Sequence, residues 1–441
     1  MVASWNALYW DDWIVYQDGS TGVRQFWQDF DRGRGTSPFR GQVEGYLISA
    51  GPWLLRTLVF LIFPIVASLF GSLLRRADLL RKEEISPVVL FVLFLPMFGA
   101  RTALITFSYS LHLLFFVLGA RLLFTRRVVL HLCALSLIFW SMFIASFQVF
   151  VIVLIALVAW RLNSRGFAPR YRSAIIVVSL AIFPFIHRYL LPQILSIGQV
   201  RDSYNEIQIA FALRALLVGF MLCIPLLICV IRQNLGYVPS REFWVASSGL
   251  AVLAAGTFPY LAVGHFANLS DWILPLLSDE SDWNSRHQLL QPFGVALVLL
   301  SVSKLLRISS RSFVGAILAL FVGLNAVTYS GYYLDSLKQR ETIAIASELK
   351  SELTDARAVV VDDQAPRFNA RGRSIRDYEW ERMIERATKI DLDVDSFGVD
   401  FCTIARPNKT MTIFADRGRL KALVTRRVGV SLKIQDIDIC N

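Results

Sequence analysis

Two adjacent carboxylates near the start of the chain are the residues best suited to chemistry. Asp11 and Asp12 stand between two indoles, in the order Trp10-Asp11-Asp12-Trp13. One carboxylate could act as a general base on an acceptor hydroxyl, or the pair could hold a divalent cation such as Mg²⁺ or Mn²⁺. The alternative is an interfacial aromatic belt with two solvated acids, and the pattern favours neither interpretation.

A second polar group lies in the segment 282–292 (DWNSRHQLLQP), which leads from a polar loop into an apolar run. Arg286 is the only residue of that loop with a permanent positive charge, and His287 follows it. A guanidinium there could bind a phosphate bidentately and offset charge on a leaving group. The alternative is an arginine that anchors the helix end. The adjacent histidine and Asn284 favour the functional interpretation.

Two further arginines, Arg56 and Arg214, lie inside apolar runs. A buried arginine within a membrane is costly, so it usually faces a partner or a wet cavity. Counting along each run places both residues in the half nearer to the aspartate pair. An outward-facing cavity with acids at its rim and arginines in its wall would suit an anionic, lipid-linked substrate. Ordinary pairing between helices is the competing interpretation.

The elements that must position these residues are mostly apolar. Of 441 residues, 55% are hydrophobic and 18% are charged, whereas soluble proteins average about 25% charged residues. We expect about ten membrane-spanning helices, some of them short, and the pair at 128–160 could instead be one helix broken near Ser146. The apolar runs are 51–74, 86–100, 103–124, 128–143, 146–160, 173–190, 207–231, 243–263, 289–306 and 312–332.

The distribution of basic residues predicts the orientation. Alternate loops carry sixteen Arg and Lys residues, whereas the intervening short loops carry four: Arg101, Arg188, Arg201 and Arg286. The positive-inside rule places the first set of loops in the cytoplasm. Residues 1–50 and 333–441 are therefore expected outside. The net charge of +11 is explained by these loops and needs no nucleic-acid partner. The sixteen are Arg75, Arg76, Arg81, Lys82, Arg121, Arg126, Arg127, Arg161, Arg165, Arg170, Arg172, Arg232, Arg241, Lys304, Arg307 and Arg311.

The predicted fold class is an all-α polytopic membrane bundle over residues 51–332 with a small extracytoplasmic α/β domain over 333–441. The N-terminal loop, 1–50, is expected to contain a helix on the outer leaflet at 38–50. Cys402 and Cys440 could form a disulfide if the tail faces an oxidising compartment. In the tail we expect helices at 336–354 and 376–389 and strands at 357–361, 410–415 and 424–434.

Together these features resemble the GT-C superfamily of polytopic membrane glycosyltransferases. Asp11 and Asp12 match the position of its acidic motif in the first outer loop, and Arg286 to Pro292 (RHQLLQP) resembles its Arg-Tyr-Leu-Leu-Pro type of segment. His287 replaces the usual tyrosine, which leaves the donor type open. Members normally carry a transmembrane helix before the acidic loop. Either the start codon was assigned too late, which we expect, or this protein lacks that helix.

The resemblance implies a polyprenyl-phosphate-linked sugar as donor and an inverting transfer on the outer face. We therefore expect transfer to a glycan, lipid or protein acceptor at the bacterial cytoplasmic (inner) membrane. Asp12, or else Asp11, would take the acceptor proton, and Arg286 with His287 and Arg214 or Arg56 would hold the lipid phosphate. The alternatives are a polysaccharide polymerase or ligase, and a lipid or solute transporter. The absence of a phosphate-binding glycine-rich loop argues against cytosolic nucleotide chemistry.

Overall fold

The chain is mostly helical, with one small sheet near its C-terminus. The computed structural model describes residues 7–9, 11–16, 19–34, 40–96, 99–125, 127–165, 170–194, 209–234, 240–263, 289–306, 310–356, 358–370, 373–390, 392–395 and 408–436.

Three short helices precede the apolar helices. They are α1 (Asp12–Tyr16), α2 (Gly19–Arg34) and α3 (Arg40–Ile48). The helix predicted at 38–50 is confirmed as α3. The described residues then form these apolar or partly apolar helices: α4 (Pro52–Arg76), α5 (Lys82–Phe94), α6 (Thr106–Leu123), α7 (Val128–Ser141), α8 (Ala145–Arg165), α9 (Arg170–Phe185), α10 (Leu191–Ile194), α11 (Ile209–Asn234), α12 (Arg241–Ala262) and α13 (Gln291–Leu305).

Each of the ten predicted apolar runs contains a helix, but the helices differ in length. Among the described residues, five helices are long and apolar enough to cross a membrane: Pro52–Arg76, Thr106–Leu123, Ala174–Ile194, Ile209–Arg232 and Ser312–Glu348. The run at 128–160 is two helices, because the chain turns at Met142–Ile144. The run at 173–190 continues through a π-helical turn, Ile186–Leu190, into α10.

The long apolar helices present apolar side chains to the outside of the bundle. In the most apolar stretch of α11 only 11% of the residues are buried, and Leu213, Leu217 and Phe220 are largely exposed. A soluble protein would hide such a contiguous surface, whereas a bilayer would cover it.

Close helix packing occurs where glycines remove side chains. A Cβ on Gly294 of α13 would lie 2.7 Å from the Gly249 carbonyl oxygen of α12 and 2.6 Å from Leu253 Cγ. The two helices therefore touch through their backbones at this crossing. At one end of the same helices, Glu84 of α5 binds both Arg241 of α12 and Lys304 of α13.

The last apolar run forms the N-terminal part of one continuous helix, α14 (Ser310–Glu348), of 39 residues. At 1.5 Å per residue it is roughly 58 Å long. The prediction of a separate helix at 336–354 is therefore wrong at its start, because residues 336–348 continue the helix of the preceding run without a break. Only α15 (Lys350–Thr354) is a distinct helix.

The sheet unit, residues 358–436, contains four strands in the order β2-β1-β3-β4. They are β1 (Ala358–Asp363), β2 (Asp393–Asp395), β3 (Lys409–Ala415) and β4 (Val430–Asp436). β1 pairs in parallel with β2 and β3, and β4 pairs antiparallel to β3. Helix α16 (Asp377–Thr388) lies where predicted. The strand predicted at 424–434 begins only at Val430, because helix α17 (Arg419–Thr425) precedes it. Cys402 and Cys440 lie outside the described residues.

Buried polar contacts hold the sheet unit on α14. Lys338 is fully buried and donates to both carboxylate oxygens of Asp363, at 2.6 Å each, and to Asn369. Three residues later on α14, the Glu341 carboxylate accepts three backbone N–H groups at the start of β4, from Val428, Gly429 and Val430. The sheet unit and the C-terminal part of α14 therefore form one packed body.

Candidate functional site

The two aspartates of the sequence motif have different environments. Asp12 opens α1 and is completely buried. Its Oδ2 accepts the Leu104 N–H at 2.8 Å and the Tyr9 N–H at 3.3 Å, and its Oδ1 accepts the Ile105 N–H at 3.0 Å. Leu104 and Ile105 immediately precede α6, so the carboxylate sits at the positive end of that helix dipole. Asp12 thereby ties the N-terminal segment to the start of α6.

Burial dominates the electrostatics of Asp12. Loss of solvent raises the pKa of its carboxyl from 3.8 to about 7, although Arg56 and the three backbone N–H donors act in the opposite direction. A carboxyl with this pKa can exchange a proton near neutral pH. A substrate hydroxyl cannot reach it in this arrangement, because no part of the side chain is exposed.

Asp11 is the accessible member of the pair. Its side chain is half-buried, and its Oδ1 accepts a hydrogen bond from the Tyr378 hydroxyl at 3.0 Å. Tyr378 belongs to α16 of the sheet unit, and burial together with Asp11 raises the pKa of its phenol well above 10. The phenol is therefore a hydrogen-bond donor that orients the carboxylate at the junction between the helices and the sheet unit.

Arg56 supports the same junction. This α4 residue is buried, donates from Nε to the Thr102 carbonyl at 2.8 Å and from Nη2 to the Ala7 carbonyl at 2.7 Å, and lies 5.6 Å from the Tyr9 ring centroid. The structure thus brings Arg56 near Asp12, whereas the sequence predicted only that it lies in the half of its helix nearer to the aspartate pair. Its hydrogen bonds to carbonyl oxygens hold together three chain segments.

Trp13 is also buried, and its indole N–H has no hydrogen-bond partner among the described residues. The guanidinium of Arg386, from α16, lies 5.9 Å from the Trp13 ring centroid. This packing explains why an indole follows the aspartates: it fills the contact between α1 and α16. Trp10 lies outside the described residues.

A half-open, mostly apolar cavity of about 280 Å³ lies between α3, α6 and α7. Arg40 lies at its polar side, stacked on Trp27 with its Cζ 3.2 Å from the ring centroid. Its Nε donates to Glu44 at 3.0 Å, and its buried Nη2 has no hydrogen-bond partner among the described residues. The remaining lining residues are Val43, Phe107, Ser108, Leu111, His112, Phe115, Leu137 and Trp140.

Helix α1 is hydrogen-bonded to two elements that border this cavity, α3 and the segment just before α6. At its start Asp12 binds the backbone just ahead of Phe107 and Ser108. At its end the Tyr16 hydroxyl donates to Glu44 at 2.7 Å. Within the cavity wall, His112 Nδ1 lies 2.7 Å from the Ser108 carbonyl oxygen; a carbonyl only accepts, so Nδ1 carries the proton. The acidic motif and the cavity therefore form one structural unit.

Of the other predicted residues, the structure describes only Arg214, and it does not bring that residue to this unit. Arg214 is exposed on α11, 5.9 Å from the Phe211 ring centroid, and its side chain does not line the described cavity. Arg286 and His287 lie outside the described residues. No group of three His, Cys, Asp or Glu side chains suited to a metal ion occurs within the described part of the chain.

No family model, curated protein or solved structure matches this chain.

Sequence reasoning missed Arg40, Glu44 and Tyr378, which the structure places around the motif. Arg40 and Glu44 are spaced i, i+4 on the helix predicted at 38–50, and that spacing signals an ion pair. Nothing in the sequence indicates that Tyr378 meets Asp11, because 367 positions separate them.

Proposed function

We propose that this chain is a membrane glycosyltransferase that moves a sugar from a polyprenyl-phosphate carrier to a glycan, lipid or protein acceptor on the non-cytoplasmic face of a bacterial cytoplasmic membrane. The observation that carries the proposal is the setting of Asp11. This accessible carboxylate adjoins α1, which is hydrogen-bonded to two elements that border an apolar cavity. Arg40 lines that cavity and has a buried Nη2 donor with no partner among the described residues. A lipid with an anionic headgroup fits this site, because its chain can contact the apolar wall while its headgroup contacts the cation.

The proposed topology has about ten membrane crossings, with residues 1–50 and 333–441 on the same outer side. Contacts between distant segments support it. Tyr378 of the sheet unit binds Asp11, and the Tyr9 hydroxyl donates to the Tyr332 carbonyl at the end of the last apolar run, at 2.8 Å. The loop before α6, which carries few basic residues, contacts Asp12. These three regions are the ones that the distribution of Arg and Lys assigns to the outside.

In the proposed reaction, Asp11 accepts the proton of the acceptor hydroxyl as the acceptor oxygen attacks the anomeric carbon of the donor. The new glycosidic bond forms as the bond from that carbon to the phosphate oxygen breaks. Polyprenyl phosphate leaves with the bonding electrons, and the sugar inverts. Because Asp12 is buried, we assign it the role of positioning α1. Arg286 and His287 remain the proposed ligands of the leaving phosphate, with Arg40 as a further cation.

The test is sugar transfer by the purified chain in lipid nanodiscs supplied with a labelled polyprenyl-phosphate sugar. Removing a general base costs roughly 10²–10⁴-fold in rate, so Asp11→Asn should lose at least about 100-fold. Tyr378→Phe should lose less, since it removes only the group that orients the carboxylate. Asp377→Asn, which removes the neighbouring carboxylate on α16, is the matched control and should retain transfer.

Other outcomes point to other functions. Full transfer by a folded Asp11→Asn variant would remove the proposed base. A polysaccharide polymerase or ligase should fail with Arg286→Ala and survive the change at Asp11. A transporter would move the labelled lipid across the bilayer without forming a new glycosidic bond.

A further inference from the structure

The short helix α17 of the sheet unit presents an uncovered apolar face. Leu420 and Val424, spaced i, i+4, are 77% and 76% exposed. The opposite face is buried: Ala422 packs in a small core with Leu334 and Leu337 of α14. Exposed aliphatic side chains side by side on one helix face indicate a surface that is covered in the working protein.

Basic residues surround this face. Between positions 416 and 427 the chain has five of them and one acid, Asp416, which lies 3.7 Å from Arg417. Arg417 also donates to Thr425. The other four are exposed and make no ion pair within the described residues: Arg419, Lys421, Arg426 and Arg427.

The strand directions fix where α17 lies along α14. β1 ends at Asp363, which binds Lys338, and β4 begins at the amides bound by Glu341. At the other end of the sheet, Lys409 pairs with Asp436 and donates to the Glu352 carbonyl of α15, beyond the C-terminal end of α14. The turn between β3 and β4, which contains α17, therefore lies at the end of the sheet nearest the apolar part of α14.

The distance from the apolar run is short. Tyr333 and Leu334 directly follow the run that ends at residue 332. Leu334 belongs to the small core that contains Ala422 of α17, and Tyr333 packs against that core. If residues 312–332 cross the bilayer, α17 lies at the level where α14 enters the headgroup layer. Its exposed face can then contact lipid without any rearrangement of the fold.

We propose that α17 is a membrane-surface anchor that binds the anionic lipid headgroups of the leaflet from which α14 emerges. Leu420 and Val424 enter the boundary between headgroups and acyl chains, and the four exposed cations bind lipid phosphates. The anchor prevents the sheet unit from tilting on α14, and so keeps α16 against the N-terminal segment. It depends on α14 spanning the bilayer and is independent of any sugar transfer.

The test uses the full chain in nanodiscs with a genetically encoded dansyl amino acid at position 420. The matched control carries the same fluorophore at position 435, an exposed site on β4 at the opposite end of the sheet. Lipids with a nitroxide near the headgroup should quench the fluorophore at 420 at least threefold more strongly than the one at 435, in nanodiscs containing phosphatidylglycerol. Equal quenching at both sites would overturn the proposal.

Charge provides a second measurement. Arg419→Glu with Lys421→Glu should reduce quenching at 420 at least twofold, and replacing phosphatidylglycerol by phosphatidylcholine should do the same for the unaltered chain. The proposal would be overturned if nitroxide lipids did not quench the fluorophore at 420 but an added acidic protein shielded it. That result would assign the face to a protein partner. Both substituted side chains are exposed, so the fold should be retained.

Discussion

Interior carboxylates in this protein bind backbone amides from distant parts of the chain. Asp12 accepts N–H groups from Leu104 and Ile105, and Glu341 accepts three at the start of β4. A hydrogen bond to a charged group contributes about 1.5–3 kcal/mol to stability. An acid in such a position fixes the geometry of neighbouring residues without touching a substrate.

Asp12→Asn is predicted to destabilise the fold. Both oxygens of Asp12 accept backbone N–H groups. Below its raised pKa the carboxyl brings one O–H donor into this site, whereas an amide brings two N–H donors and leaves more of them without an acceptor. The loss should be about 2–4 kcal/mol in the free energy of unfolding, the range for an unsatisfied buried group beside a charge. Thermal unfolding in detergent at pH 6 measures it. Asp11→Asn is the control, and equal unfolding midpoints for the two variants would contradict the prediction.

The pH dependence of stability should report the same residue. The pKa of Asp12 is raised to about 7 in the folded state, against 3.8 in the unfolded chain, so the folded state binds the proton more tightly. The contribution is fully present below about pH 4 and is lost as pH rises to about 7, at up to about 1.4 kcal/mol per pH unit. The difference between the unfolding midpoints of wild type and Asp12→Asn should shrink across that window. Parallel curves would show that Asp12 does not titrate there.

At this scale the sequence indicated where the acidic motif lies but not the environment of each of its members. The pattern Trp10-Asp11-Asp12-Trp13 drew attention to the motif, and Arg56 was expected in the half of its helix nearer to it. The buried member could not be distinguished from the accessible one, because two of the amides that bind Asp12 are 92 and 93 positions away. Identical side chains one residue apart take different roles only after the chain has folded.

Among the elements, the crossing of α12 and α13 depends on two glycines. Apolar composition predicted both helices, since each run must bury its backbone polar groups in internal hydrogen bonds. Composition did not predict the contact, because it depends on the rotation of each helix about its axis. Gly249 and Gly294 face each other with the carbonyl oxygen of one 2.7 Å from the Cβ position of the other.

Gly294→Ala is therefore predicted to be destabilising by about 1–3 kcal/mol, the usual cost of inserting an atom into a close-packed contact. The added methyl group would meet the backbone of α12, which cannot rotate away as a side chain can. Gly323→Ala in α14 is the matched control, because no atom lies within 4 Å of its Cβ position. That change should be neutral or should stabilise by about 0.5–1 kcal/mol. Chemical unfolding of both variants in the same detergent measures the difference, and equal losses would contradict the proposed crossing.

For the whole molecule, α14 is the connection between the apolar helices and the sheet unit. Its apolar first half and charged second half have different compositions, which led to the prediction of two helices. Helical continuity depends on backbone hydrogen bonds and not on composition, so a change of solvent along the axis need not interrupt it. One rigid helix then transmits any movement of the bundle to the sheet unit, and to Tyr378 beside Asp11.

The buried network on α14 should control this attachment. Asp335 is fully buried and accepts the Ala370 N–H at 2.9 Å and Arg373 Nε at 3.0 Å, while Arg373 also binds Glu379 of α16. Asp335→Leu leaves an amide and part of a buried guanidinium without an acceptor. Breaking a buried ion pair in this way costs about 3–5 kcal/mol.

Local opening of the attachment is the expected result, because the remaining contacts of the sheet unit on α14, through Lys338 and Glu341, stay intact. Hydrogen exchange of the Asn369, Ala370 and Arg373 amides should accelerate by at least about 100-fold, the kinetic equivalent of roughly 3 kcal/mol. Glu348→Ala, an exposed change at the end of the same helix, should leave exchange unaltered. Unchanged protection in Asp335→Leu would mean that apolar packing alone holds the sheet unit, and the position of Tyr378 would then not depend on the charges of α14.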